Sequence, residues 1–98
     1  MSYRVIIQAP AIAELDAIFA YIARESPQNA APMFDRIIGR IEALSSFPNR
    51  HPLAPEADVL LVPVRQIIIK PYRVLFQVHA AEVHIIGIRH GARLPLDD

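Results

Sequence analysis

Three apolar runs constrain this chain more than any other feature: VRQIIIK (64–70), YRVLFQV (72–78) and VHIIGI (83–88). They are short, rich in Val and Ile, and separated only by Pro71 and by HAAE (79–82). That pattern predicts strands of an antiparallel meander. A sheet with one wet face alternates apolar and polar residues, yet QIIIK, VLF and VHIIGI are apolar at both parities. Both faces of this sheet therefore need cover.

The first sixty residues supply one layer of it. YRVIIQ (3–8) is rich in β-branched residues and predicts a strand ending before Pro10. Leu15, Ile18, Phe19 and Ile22 then fall at helical spacing. Pro10 suits the first turn of that helix, and Ser26-Pro27 ends it. A second stripe runs through Met33, Phe34, Ile37, Ile38, Ile41 and Leu44 and stops before Pro48. Its start is ambiguous. Ser26 as N-cap puts Pro32 past the first turn, where it removes a backbone hydrogen bond, whereas Asn29 as N-cap makes Pro32 tolerable. FPNRHPLAPEADVLLVP (47–63) carries four prolines and reads as an ordered surface loop, with VLLV as a short extended end.

The expected architecture is one domain, residues 1–98, of the α+β class. Its order is β-α-α-β-β-β, with a helical hairpin on one face of a mainly antiparallel sheet. Two helices cover only one face, so the other calls for a partner chain or a second copy. The alternative is that segment 47–63 lies across it. By parity, Arg73, Leu75 and Gln77 share one face, and Val74, Phe76 and Val78 the other. If the helices cover the second set, Arg73 points toward the side awaiting a partner.

Charge is unevenly spread. The net charge is zero, which argues against bulk coating of nucleic acid. However, residues 63–93 hold Arg65, Lys70, Arg73, Arg89 and Arg93 against one acid, Glu82. There is no cysteine, hence no disulfide and no thiolate metal site. No apolar run approaches the ~20 residues of a membrane helix, and no signal-peptide core is visible. A cytoplasmic location with no membrane partner is the expectation. His51, His79 and His84 show no metal-ligand spacing, so no metal is expected.

The densest chemistry lies in IRHGAR (88–93), where two arginines, a histidine and a glycine follow an apolar run. It reads either as a site for an anionic partner or as the wet end of a strand. Gly87, inside that strand, signals a bulge or a close backbone approach, and Gly91 a turn after it. No serine-type triad and no glycine-rich phosphate loop is present.

The element order, the segments IAELDAIFAYIA and RIIGRIEALSSFP, and the set R-x6-YRVLFQV-x4-VHIIGIRHGAR resemble the RelE/ParE superfamily of toxins. These belong to type II toxin–antitoxin modules and are often described as plasmid stabilisation proteins. The resemblance runs from about residue 3 to residue 93. It implies a microbial-RNase-like fold, no cofactor, and a cognate antitoxin that lays an extended or helical segment across the toxin. Such a segment would cover Arg73, and its carboxylates would lie near the arginines.

The superfamily divides by target. RelE-type members cut messenger RNA on the ribosome, and Arg73 and Arg93 sit where those members carry functional arginines. Guanidinium groups suit a scissile phosphate, and His90 could act as the base. Against this, PEADVLLVP has two acids and no Lys or Arg where nuclease members carry a basic loop, and the tail RLPLDD is acidic. ParE-type members trap DNA gyrase without performing a chemical step. The sequence favours that class, a non-enzymatic gyrase inhibitor, with Arg65, Arg73, Arg89 and Arg93 as contacts to target or antitoxin. A ribosome-dependent endoribonuclease is the alternative, a degenerate non-toxic module protein the second. A homodimer is a further state that an uncovered face allows.

Overall fold

The computed structural model describes residues 2–91. Strand β1 (Arg4–Ile7) leads into helices α1 (Ala9–Glu25) and α2 (Pro27–Glu42). Two 3-10 turns (Ala43–Ser45 and Pro48–Arg50) and a short helix α3 (Glu56–Leu60) follow, then strands β2 (Arg65–Ile69), β3 (Tyr72–His79) and β4 (Glu82–His90). The four strands form one sheet in the order β1-β4-β3-β2. The meander β2-β3-β4 is antiparallel, and β1 joins it parallel to β4. No helix among the described residues is long and apolar enough to cross a membrane.

The helical hairpin covers one face. Leu15 of α1 and Ile37 and Ile41 of α2 pack with Leu44 onto Ile67, Ile69, Tyr72, Val74, Phe76, Val83, Ile85 and Ile88. Phe76, Ile37 and Ile85 are fully buried, and each such side chain contributes about 1.5–3 kcal/mol of transfer free energy. Phe19 completes the predicted stripe differently. It is partly exposed and meets Phe34 edge-on at 5.7 Å, linking the two helices at the rim of the core.

Ser26 is the N-cap of α2, so Pro32 lies inside that helix. Of the two expected starts, the one that costs a backbone bond is used. Pro27 at the first helical position fixes the entry, and Asn29 donates from Nδ2 to Ser26 Oγ at 2.7 Å.

The second face differs from the main expectation. It is covered by the chain itself, through Ala54, Val64 and Leu75 with Ala57 and Ile86. The segment 47–63 contains α3 where an extended end was expected: Val59 and Leu60 close that helix, and Leu61 caps it in the left-handed region at φ 60°. The acids Glu56 and Asp58 stand in its first turn, where they complement the helix dipole.

The expected bulge lies beside Gly87, and the Glu14 carboxylate comes close to that glycine. The β3–β4 register slips between Leu75 and Phe76, so Leu75 faces Gly87 while Phe76 faces Ile85, leaving Ile86 as the extra residue. Glu14 of α1 reaches this bulge, where its Oε1 accepts from Ile88 N at 3.0 Å. A Cβ on Gly87 would stand 3.3 Å from that oxygen. Gly91 adopts no positive φ. Its N–H donates to Pro71 O at 2.6 Å, and a Cβ there would come 3.0 Å from the same oxygen. Close approach, not left-handed turning, is what the glycine provides.

Candidate functional site

Arg73 lies on β3 directly opposite Arg89 of β4, on the face turned away from the helical hairpin. Two guanidinium groups so placed repel each other unless an anion stands between them. Glu56, in the first turn of α3, is that anion. Arg73 donates from Nη1 to Glu56 Oε1 at 3.0 Å and from Nη2 to Oε2 at 2.8 Å, a two-pronged pair. The same Nη1 also donates to Gln66 Oε1 at 2.8 Å, and Arg89 Nε stands 3.7 Å from Glu56 Oε2. Glu56 is 1% exposed and Arg73 8%.

This burial would be costly without the pairing. The hydrogen bond from Arg73 holds the Glu56 carboxyl below its ordinary range, against the opposing effect of burial, and Arg89 adds to the lowering. Glu56 in turn pushes the Arg73 guanidinium further toward its charged form.

Within the chain itself, Arg73 already faces a carboxylate. Glu56 was visible in the sequence only as one of two acids in a loop lacking basic residues. The signal that marks it is an acid just after Pro55, which starts a helical turn.

The other expected residues separate. Arg65 donates from Nη1 to His51 O at 2.6 Å and pairs with Leu53, so it fastens segment 47–63 to the sheet edge. His90 ends β4, exposed, with its ring edge-on to Tyr72 at 5.7 Å. Arg73 and His90 line one cleft of about 340 Å³ with Ile68, Lys70, Pro71, Tyr72 and Gly91. Arg89 lines a different one, of about 240 Å³, with Glu14, Glu56, Leu60 and Leu75. Arg93 lies outside the described residues. Among the described residues no group of three or more His, Cys, Asp or Glu is arranged to hold a metal ion.

A small α+β domain of this topology, with arginines on its sheet face and at the end of its last strand, defines a class, and comparison with known proteins identifies it. The family model for the ParE toxin of type II toxin–antitoxin system, parDE, matches residues 5–95. Toxin RelE2 of Caulobacter vibrioides is 37% identical over 84 residues, covering 86% of this chain and 90% of that protein. A solved chain of the chromosomal ParDE TA system from P. aeruginosa superposes with a TM-score of 0.74 at 21% identity, over 91% of this chain and 96% of the other. The latter likeness is one of fold. The chain belongs to the ParE toxin family of type II toxin–antitoxin systems.

Proposed function

We propose that this toxin inhibits growth by binding DNA gyrase in the cytoplasm, performs no chemical step, and is neutralised by a cognate antitoxin. The observation that carries this reading is the Glu56–Arg73 pair. An arginine that stabilises a scissile phosphate must present its fork to the phosphate as charge builds there. Here both Nη atoms are already engaged by Glu56 and Gln66. Breaking a buried pair of this kind costs about 3–5 kcal/mol. On this reading Arg73 serves the fold and is not presented to a scissile phosphate.

A second reading keeps the messenger RNA as target. Arg73, Lys70 and His90 share one cleft, a grouping of cations beside an imidazole that suits phosphate cleavage, and one relative bears the name Toxin RelE2. The purified chain separates the two. Under the gyrase reading, supercoiling by gyrase falls and cleaved DNA accumulates as toxin is added, while a message translated in vitro stays intact. Cleavage of the message with supercoiling unchanged overturns it.

A further inference from the structure

The turn between α2 and α3 builds a surface of another kind, away from the Glu56 cluster. Phe47 has φ 49°, in the left-handed region that a bulky side chain enters only at an energetic cost, yet the residue is 69% exposed. The fold gains little burial from that strained placement. The Arg50 guanidinium lies over the ring, 6.0 Å from its centroid, and Tyr3, Phe47, Asn49 and Arg50 line a cleft of about 270 Å³. Arg65, held at His51 O, brings a second cation to the same loop. The charge of Arg40, in the last turn of α2, also reaches it: burial first, then Arg50, Arg40 and Arg65, push His51 below its ordinary value of 6.5. The ion pairs of the described residues join Glu56 to Arg73 and Arg89, and Glu82 to Arg4 and His84; none engages Arg40, Arg50 or Arg65.

We propose that Tyr3, Phe47, Asn49 and Arg50, flanked by Arg40 and Arg65, dock an acidic segment of a partner protein that inserts one apolar side chain beside Phe47. Aromatic and arginine side chains around a small pocket are the composition of protein-binding hot spots. Arg50 on the turn, with Arg40 of α2 and Arg65 of β2 beside it and none of the three in an ion pair among the described residues, selects an acidic partner. A single-stranded nucleic acid asks for a long basic groove with successive stacking platforms, and this cleft has room for one side chain. The inference does not depend on whether gyrase or RNA is the target.

The probe is a short labelled peptide of aspartate and glutamate with one central tryptophan, titrated into the purified, isotope-labelled chain. Amide shifts are expected at Tyr3, Phe47, Asn49, Arg50 and His51, with affinity falling as salt rises. Phe47→Ala and Arg50→Glu should each weaken binding about fivefold or more. Both positions are exposed, and thermal unfolding checks that each variant is folded. A lysine version of the peptide should not bind. Absence of binding, shifts centred on another surface, or affinity unchanged in both variants overturns the proposal. So does tighter binding of an oligothymidylate, which would assign the surface to nucleic acid. Shifts at these residues that grow with protein concentration alone would assign it to a second copy instead, and overturn it too.

Discussion

Glu56 and Arg73 meet as a two-pronged ion pair with contacts of 3.0 and 2.8 Å, both side chains out of water, and so tie α3 to the middle of the sheet. The pair fixes the position of a helix only five residues long, too short to be stable by itself.

Removing one partner leaves the other charged and buried. Glu56→Ala should destabilise the fold by about 3 kcal/mol or more, because Arg73 and Arg89 then face each other without an anion. Replacing Glu56 and Arg73 together by apolar residues should cost less than Glu56→Ala alone. Urea unfolding of both variants checks this; equal losses would show that the charge left behind is not the cause.

Acid should weaken the same pair. The Glu56 pKa is lowered on folding, so the stabilisation is fully present above the ordinary glutamate value of 4.5 and is lost as pH falls through the folded value. Glu56→Gln should lower stability at neutral pH and flatten the decline below pH 4.5. Stability measured across that range provides the check.

A separate step is expected at higher pH. His51 is lowered from 6.5, so folding favours its neutral form, and protonation works against the fold as pH drops from 6.5 toward the folded value. His51→Gln should remove that part of the pH dependence and leave the Glu56 part in place. Following the imidazole by NMR titration locates the midpoint, which should lie below 6.5.

At the β4 bulge, Glu14 and Gly87 should behave as coupled positions. Glu14→Ala leaves the Ile88 N–H without its acceptor and should cost about 1–3 kcal/mol. Gly87→Ala crowds the Glu14 carboxylate and should destabilise the parent chain. On the Glu14→Ala background the same substitution should be neutral or favourable, since the added methyl then restricts only the unfolded chain. A double-mutant cycle measures the difference.

The parts of the fold legible in the sequence are those written in local period. Ile37 and Ile41 announce the buried side of α2, and the three Val- and Ile-rich runs announce the meander, because each signal lies within a few neighbours. Gly87 was legible for the same reason, as the one glycine inside an apolar run. Helix α3 was not. VLLV has the composition of a strand, and the helix is held by Leu75 and Arg73, which are distant in sequence. The parity argument rightly required cover for the second face and put Arg73 on it. It could not say that Glu56 of the same chain would reach Arg73, since pairing across 17 residues leaves no periodic trace. For Gly91 the sequence suggested a turn, whereas the close contact with Pro71 O that excludes a side chain was not legible.

The parallel pairing of β1 with β4 has a consequence for synthesis. Val5 and Ile7 pair in register with Val83 and Ile85, which are made much later along the chain. Until β4 leaves the ribosome, β1 has no neighbour, the sheet lacks one of its two middle strands, and Ile37 and Ile41 have only part of the surface they pack against. A nascent or prematurely ended chain therefore cannot assemble the toxin surface. The cell that makes this protein meets its activity only after β4 has been translated.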